Sequence, residues 1–355
     1  MSRPKGDDGR RRGVVVGLLA AATFGASTPF AKRLLDGVSP EVLAGLLYLG
    51  AFAALFAFAP TRRRRHEAAL RRDDLPRLAG IVLTGGVAAP ILMLIGLDRV
   101  SGPTGSLLLN LEGPFTLVLA LWVFGEHLGR RAAAGASVIF GGAVFLSLGG
   151  ATSRDELIGV ALIAVAAGLW AVDNNLTQTL TTRDPVAIVT VKAGAAALVN
   201  LLIAAILGAP RPSATLLAGA VTLGAVSYGL SIVLDAYALR NLGAARESAI
   251  FATAPFFGLV LSIPVLDQLP GVREIAAAAV MALGVGLLIA ERHAHRHRHD
   301  ALEHDHIHTH DDGHHDHTHE PDVDISAPHS HPHRHEQVVH EHEHVSDLHH
   351  RHSHR

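Results

Sequence analysis

The chain has 355 residues, of which 49% are apolar and 17% are charged, with a mean hydropathy of +0.31 and a formal net charge of -2. Cysteine is absent, which excludes disulfides and thiolate metal ligands. These averages combine two populations, because residues 13–290 are nearly all apolar spans and residues 291–355 consist mainly of His, Asp, Glu and Arg. The apolar part therefore has the composition of a membrane protein rather than of a soluble core.

Ten apolar spans follow a basic N-terminus at residues 1–12. Each has close to the roughly 20 residues that a membrane-crossing helix needs, whereas β-barrel strands would be shorter and would alternate in polarity. The predicted spans cover residues 13–34, 41–59, 78–97, 104–124, 132–150, 157–180, 186–207, 215–238, 245–265 and 272–290. The first span follows basic residues as a signal peptide would, but it is long and lacks a convincing small-residue cleavage site, so we expect it to be retained.

The connectors differ in basic charge, and cytoplasmic loops carry the excess of Lys and Arg. The N-terminus, the second connector with its run at residues 62–65, and the fourth with Arg130 and Arg131 are basic, while the odd-numbered connectors are poorer. This pattern predicts a multi-pass protein of the plasma (inner) membrane with both termini in the cytoplasm. Because five spans make up each half, the two halves are expected to face opposite ways.

One hairpin sequence occurs twice along the chain. Residues 97–126 read LDRVSGPTGSLLLNLEGPFTLVLALWVFGE, and residues 239–267 read LRNLGAARESAIFATAPFFGLVLSIPVLD. The first span carries FGASTPFAK from Phe24, and the sixth carries WAVDNNLTQ at the matching place from Trp170. The duplication therefore predicts two five-helix repeats, at residues 13–150 and 151–290, with a binding site where they meet.

These motifs resemble the EamA-type branch of the drug/metabolite transporter (DMT) superfamily. The resemblance rests on FGASTPFAK with Lys32, on the hairpin that ends in Gly125-Glu126, and on the glycine-rich span at Gly141-Gly142. It implies a ten-helix secondary transporter that moves small solutes, often outward, through a cavity between the halves. The second half departs from the pattern, because Gln178 replaces the lysine and Leu266-Asp267 replaces the Gly-Glu pair.

Polar side chains at membrane depth are the candidate substrate site, because such groups are costly in lipid unless they pair or line a cavity. Several share a helical face by their spacing, as Thr28 and Lys32 do at i, i+4. The predicted substrate-binding residues are Thr28, Lys32, Asn110, Glu112, Asp173, Asn174, Gln178, Tyr228, Ser231 and Asp235.

Structural roles compete with substrate binding for some of these residues. Lys32 and Asp235 are also compatible with a place near the interface, where a long side chain reaches water. Glu112 is also compatible with a structural ion pair to Lys32 or Lys192. Protonation of a buried acid would couple transport to protons, and Glu112, Asp173 and Asp235 are the candidates. The absence of a nucleotide-binding P-loop motif argues against ATP-driven transport by this chain.

Residues 291–355 hold 23 of the 25 histidines, in alternating runs such as HAHRHRH from His293. Without apolar periodicity this tail is expected to be disordered. Neutral imidazoles suit Zn, Ni, Co or Cu, although no single tetrahedral site is defined; a pH-responsive low-complexity tail is the alternative. The predicted ligands are His293, His295, His297, His299, His304, His306, His308, His310, His314, His315, His317, His319, His329, His331, His333 and His335.

Together these features predict a non-enzymatic secondary transporter that exports a small solute by alternating access and carries a cytoplasmic metal-binding tail. No cofactor is expected to be required. The expected partners are the lipid bilayer and a small-molecule or metal substrate, not nucleic acid, and a homodimer is left open. Efflux of a divalent transition metal is the first alternative function. The second is a membrane metal sensor or scaffold that transports nothing.

Overall fold

The structure, a computed structural model, describes residues 5–58, 69–124, 130–150, 153–180, 183–242, 250–289, 293–299, 302–308, 329–335 and 338–344. Between residues 5 and 289, the regular elements within these ranges are all helical. The prediction of a helical membrane protein agrees with this architecture.

The helices of the first half run from α1 to α8. They are α1 (Lys5–Gly25), α2 (Ser27–Leu35), α3 (Pro40–Phe58), α4 (Leu75–Ile81), α5 (Ala89–Arg99), α6 (Gly102–Leu108), α7 (Glu112–Phe124) and α8 (Arg130–Gly150). Those of the second half are α9 (Arg154–Gln178), α10 (Pro185–Ile206), α11 (Ala214–Gly224), α12 (Ser231–Leu242), α13 (Ala254–Leu266) and α14 (Val272–Ile289). Short 3₁₀ turns occupy Arg72–Asp74 and Leu109–Leu111.

Several helices begin at a side chain that accepts a backbone N–H. Ser101, Ser153, Asp184 and Ser213 do this at the starts of α6, α9, α10 and α11. Such caps satisfy one of the free N–H groups at a helix start. They explain why these connectors can be short.

Seven of the described helical stretches are long and apolar enough to cross a membrane. They are Arg12–Leu35, Pro40–Phe58, Arg72–Arg99, Gly102–Trp122, Arg154–Gln178, Val186–Ile206 and Ala214–Asp235. The predicted fifth, ninth and tenth spans correspond to α8, α13 and α14, of which α13 is a shorter apolar helix. Large apolar side chains such as Trp122, Leu198 and Ile206 are exposed on the bundle, where lipid would cover them.

The helices of the two halves pack in matching pairs. α1 packs against α12, and α9, the equivalent of α1 by the sequence repeat, packs against α5. α3 packs on α10, and α8 packs on α14; each pair consists of equivalent helices from the two halves. The bundle is thus held together largely by contacts between its halves.

Two π-helical segments interrupt equivalent spans. The first, π1 (Val82–Ala88), joins α4 to α5, and the second, π2 (Ala225–Leu230), joins α11 to α12. Single π turns often occur at functional sites because they displace backbone groups from the regular helix ladder. Both segments lie midway along their spans, so they place unusual backbone at membrane depth.

The histidine tail differs from the disorder that its composition predicts, in the part that the structure describes. Strand β1 (His293–His299) pairs antiparallel with β4 (Val338–His344), and β2 (Leu302–His308) pairs antiparallel with β3 (His329–His335). The physical reason is the HxHxHxH alternation, which has the two-residue period of a strand. The predicted ligands His310, His314, His315, His317 and His319 lie outside the described residues, as does Glu126.

Candidate functional site

A buried ion pair lies at the centre of the bundle. The Lys192 ammonium on α10 donates to Asp173 Oδ2 on α9, and Asp173 is only 3% exposed. The other carboxylate oxygen, Asp173 Oδ1, is buried and has no hydrogen-bond partner among the residues that the structure describes. A buried acceptor of this kind is costly unless something donates to it.

The carbonyls of π1 face this pair and accept side-chain donors. Tyr48 OH donates to Gly85 O at 2.7 Å, Trp170 Nε1 donates to the same oxygen at 3.2 Å, and Asn200 Nδ2 donates to Gly86 O at 2.9 Å. Pro90 has no N–H, so it removes one backbone donor from the helix that follows π1. Donors from α3, α9 and α10 thus satisfy two carbonyls of π1.

Gly85 is required for the approach of Asp173. A Cβ atom on Gly85 would overlap the Asp173 carboxylate, so only glycine leaves room for α9 to bring this acid against π1. The Gly85-Gly86 pair in the sequence thus has a specific role in building the site.

A second carboxylate lies beside the ion pair. Glu112, the first residue of α7, accepts a hydrogen bond from Asn174 Nδ2 at 2.7 Å. Electrostatic interactions link Glu112 to both Asp173 and Lys192. Asn175, next in α9, donates to Thr116 O of α7 at 3.2 Å and so fixes α9 against α7. We call Tyr48, Glu112, Asp173, Asn174 and Lys192 the central cluster.

Aromatic rings form one wall beside the central cluster. The ring centroids of Tyr48 and Tyr228 are 5.8 Å apart, and those of Tyr228 and Phe24 are 5.7 Å apart. Ser27 of α2 hydrogen-bonds Tyr228. The rings come from three spans, two of the first half and one of the second, so the site contains residues of both halves.

Comparison with known proteins identifies the family. The model of the EamA-like transporter family matches the chain twice, over residues 11–148 and 157–290. The chain belongs to the EamA-like transporter family. It is a multi-pass membrane transporter, and the resemblance seen in the sequence motifs is confirmed.

Relatives in this family share moderate identity over most of their length. An uncharacterized transporter of Methanothermobacter thermautotrophicus is 29% identical over 76% of this chain and 84% of its own. A probable terminal-alkyne amino-acid exporter of Streptantibioticus cattleyicolor is 28% identical over 79% of this chain and 94% of its own. A solved crystal structure matches with a TM-score of 0.59 at 17% identity, covering 78% of this chain and 98% of its own, which shows a shared fold.

Four of the predicted site residues meet in this EamA-type bundle. Glu112, Asp173 and Asn174 belong to the central cluster, and Tyr228 belongs to its aromatic wall. The alternative prediction of an ion pair between Glu112 and Lys32 or Lys192 is wrong for the described residues. Lys192 pairs with Asp173, and Glu112 accepts a hydrogen bond from Asn174.

Lys32 lies elsewhere. Its Nζ donates to Leu97 O at 2.8 Å and so satisfies a carbonyl in the last turn of α5. Leu97 is about 18 Å along the helix axis from Gly85, since an α-helix rises about 1.5 Å per residue. Lys32 therefore acts at the end of the bundle rather than beside Asp173.

The remaining predicted residues have separate surroundings. Asn110 Nδ2 contacts Met281 Sδ of α14 at 3.9 Å, and Ser231 donates to Ser227 O in its own span at 2.6 Å. Thr28 is buried in α2. Gln178 is the last residue of α9 and Asp235 lies in α12, and each interacts with another residue.

The prediction of the site missed Tyr48 and Trp170 and left Lys192 as a mere candidate partner. One signal could have found Lys192, because a lysine within a span needs an acid, and Asp173 is the acid in the neighbouring span. Nothing in the sequence pairs Tyr48 or Trp170 with Gly85.

Polar networks tie the two halves together at opposite ends of the span that contains π1. At its start, Arg183 Nε lies 2.9 Å from Asp74 Oδ2. Beyond its end, Ser101 and Thr104 donate to Glu274 Oε1 at 3.0 and 3.1 Å, and Gly102 N donates to Gln268 Oε1 at 2.7 Å. These contacts join the two halves at both ends of this span.

Proposed function

We propose that the chain exports a small solute carrying an ammonium group, of the amino-acid type, across the plasma membrane by alternating access. The observation that carries this proposal is a charged cluster with spare acceptors, built from both halves at membrane depth. Glu112 from the first half meets Asp173 and Lys192 from the second. Substrate sites of transporters with internal repeats lie at such a junction.

The proposal includes ten membrane helices in two inverted five-helix repeats. It is supported by the matching helix pairs, by the double family match and by the equivalent π segments. The Lys and Arg bias of the connectors supports cytoplasmic termini. The Asp74–Arg183 and Ser101–Glu274 contacts would then lie on opposite sides of the membrane, where alternating access requires separable closures.

The chemistry of the site supports the substrate class. Asp173 Oδ1 has no donor, and Glu112 has only a neutral amide donor in the described residues. A primary ammonium supplies several N–H donors and a positive charge. The aromatic rings of Phe24, Tyr48 and Tyr228 offer apolar contact to a side chain, and the relative from Streptantibioticus cattleyicolor is named as an amino-acid exporter.

Reconstitution in liposomes tests this function. Vesicles are loaded with propargylglycine, a terminal-alkyne amino acid, and its release is followed by tagging the alkyne. Release should exceed that from equally loaded vesicles without the protein. Leucine loaded together with propargylglycine should slow propargylglycine release. N-acetyl-propargylglycine, which lacks the ammonium, is the matched control. If release is absent, or if the acetylated compound is released equally well, the proposed substrate class is wrong.

Efflux of a divalent transition metal through the spans has less support. Among the side chains that the structure describes, no group of three or more His, Asp or Glu residues could hold a metal ion. A metal sensor that transports nothing is the other rival. Solute release by protein that lacks residues 291–355 would count against that sensor.

We also propose that the tail binds Zn, Ni, Co or Cu through its strands. In the β1–β4 ladder His293, His295 and His297 stand opposite His344, His342 and His340, and in the β2–β3 ladder His304, His306 and His308 stand opposite His333, His331 and His329. Directly opposite residues of antiparallel strands have Cβ atoms about 4.5–5.5 Å apart. Imidazole nitrogens bind Zn at about 2.0–2.1 Å, so opposite histidines suit a shared ion.

Metal titration of the full chain tests this second proposal. His304, His306, His331 and His333 are replaced together by Asn, and Zn binding is measured by competition with a chromogenic chelator. The control replaces His314, His315, His317 and His319, which are equally many but lie outside the described residues. A larger loss of affinity in the strand variant is expected. Equal losses would show that composition alone determines binding.

A further inference from the structure

The Asp173–Lys192 pair joins the same two charged groups that a free α-amino acid carries. Asp173 on α9 offers a carboxylate, which suits an ammonium, and Lys192 on α10 offers an ammonium, which suits a carboxylate. A ligand with one group of each kind is complementary to the whole pair. An amine without a carboxylate is complementary to Asp173 alone.

Each member of this pair can form a further hydrogen bond. A lysine ammonium has three N–H donors, and the acceptor that the described residues give Lys192 is Asp173 Oδ2. Asp173 Oδ1 is buried and has no donor within the described part of the chain. The Lys192 side chain is 17% exposed against 5% for Asp173, so an entering ligand meets Lys192 first.

The neutral donors around the central cluster are already in use. Tyr48 and Trp170 donate to a carbonyl of π1, and Asn174 Nδ2 donates to Glu112 and to a hydroxyl of α7. Lys192 is the one cationic member of the central cluster as defined above. A carboxylate is costly within a span unless it is paired, so the carboxylate of a bound solute would pair with Lys192.

A carboxylate on the solute also removes a repulsion. An ammonium bound at Asp173 Oδ1 lies close to the Lys192 ammonium at Oδ2, because both oxygens belong to one carboxylate, and like charges repel. In an α-amino acid the carboxylate and the ammonium are attached to the same carbon. The solute carboxylate can therefore contact Lys192 while the solute ammonium contacts Asp173, which gives four charges of alternating sign.

Space for a small solute exists beside the pair. Asn174, which follows Asp173 in α9, is exposed, and Glu112 at the start of α7 is half-buried. A Cβ atom added to Gly113, the next residue of α7, would meet no atom within 4 Å. A solute can therefore approach the cluster from the side of α7 without displacing that helix.

We infer that Lys192 binds the carboxylate of the exported solute, so that the transporter selects a zwitterionic α-amino acid over an amine of similar shape. This inference rests on the proposed export of an ammonium-bearing solute. Asp173 holds the solute ammonium, and the ion pair between Asp173 and Lys192 positions both protein groups for the two ends of the zwitterion. Lys192 is then a specificity-determining residue in addition to a partner of Asp173.

Three matched ligands test this role on the intact chain. Propargylglycine carries both charged groups, its methyl ester keeps the ammonium but has no carboxylate charge, and but-3-yn-1-amine lacks the carboxylate altogether. The Kd of each is measured by isothermal titration calorimetry on the purified full chain in detergent. Propargylglycine should bind about tenfold or more tightly than the other two, as expected for a hydrogen bond between charged groups.

The outcomes separate this inference from the proposed function. Equal affinities for the three ligands would overturn the role of Lys192, while an exporter of ammonium-bearing solutes would stand. If none of the three ligands binds, the exporter proposal falls and this inference falls with it.

Variants of Lys192 sharpen the test. Lys192→Met should reverse the preference, because but-3-yn-1-amine supplies the cation that Asp173 has lost, and Lys192→Arg should keep it. Lys32→Met is the matched control, since Lys32 donates to Leu97 O instead, and it should leave the ratio of affinities unchanged. An unchanged preference in Lys192→Met would overturn the inference, and the ligand comparison on the intact chain decides it even if this variant does not fold.

Discussion

The two halves of the molecule share their arrangement of helices but not their charged residues. Matching the halves by Phe24 with Trp170 and by Pro40 with Pro185 places Asp173 opposite Ser27, and Lys192 opposite Leu47. Glu112 falls opposite Thr253 when Pro114 is matched with Pro255. Each charged member of the central cluster therefore has an uncharged equivalent in the other half.

This difference teaches that duplication supplied the backbone and later divergence supplied the chemistry. Both halves keep a π segment facing the first helix of the opposite half. At π1 the Asp173 carboxylate packs against Gly85, whereas at π2 the Ser27 hydroxyl forms a hydrogen bond with Tyr228. The charged residues of the site therefore have no charged equivalents in the other half, although the helices of the two halves correspond.

Breaking the ion pair is the strongest test of this one-sidedness. Asp173→Asn and Lys192→Met should each abolish solute release and lower the free energy of unfolding by about 3–5 kcal/mol, because each leaves a buried charge unpaired. Ser27→Ala, at the position equivalent to Asp173, should cost only about 1 kcal/mol for its hydrogen bond. Thermal unfolding in detergent measures all three.

The double variant Asp173→Asn/Lys192→Met sharpens that test. Its loss of stability should be smaller than the sum of the single losses, because neither partner remains charged. Additive losses would mean that the two residues act independently, and equal losses in Ser27→Ala would mean that the halves are equivalent after all.

Gly85→Ala is expected to have the next largest effect. The added methyl overlaps the Asp173 carboxylate, so we expect a loss of about 1–3 kcal/mol in unfolding free energy from overpacking. Ser227→Ala, at the equivalent position of π2, removes a buried hydroxyl that has no hydrogen-bond partner in the described part of the chain, and it should leave stability unchanged or raise it. Equal destabilisation by both variants would contradict the comparison.

Tyr48→Phe should have a moderate effect. It removes the 2.7 Å hydrogen bond to Gly85 O, while Trp170 Nε1 continues to donate to that oxygen. The expected cost is about 1 kcal/mol in unfolding free energy. If the single variant costs as much as Asp173→Asn, the second donor at Gly85 O is ineffective.

Asp155→Asn should have the smallest effect. Its partner Arg99 lies at 3.3 Å, but the Asp155 side chain is 69% exposed. Exposed ion pairs contribute below about 1 kcal/mol. Unfolding and solute release should both match those of the intact chain, and a larger loss would mean that this rim pair helps to close the bundle.

Much of the fold was predictable because lipid restricts what a chain can do. Span positions follow from runs of apolar residues. α13 ends at Leu266, and Asp267 directly after it has a left-handed backbone (φ 56°). The tail differed because composition predicts disorder while the alternation of its histidines has the period of a strand.

The site was predictable in part only. Asp173, Asn174 and Glu112 stood out because polar groups in spans need a reason, yet the same argument selected Lys32 and Asn110, which serve α5 and α14. The free-energy cost of placing a polar side chain in lipid shows that the residue needs a partner, but it does not show which residue that partner is. The partner depends on the distances between helices, and the sequence does not contain those distances.

The amino-acid sequence by itself determined the membrane class, the duplication and the family, since these follow from apolar length and repeated motifs. Tertiary structure alone decided that Gly85 O accepts from both Tyr48 and Trp170, and that Lys192 pairs with Asp173 rather than with Glu112. The reason is that hydrogen bonds and ion pairs act over a few ångströms between helices far apart in the chain.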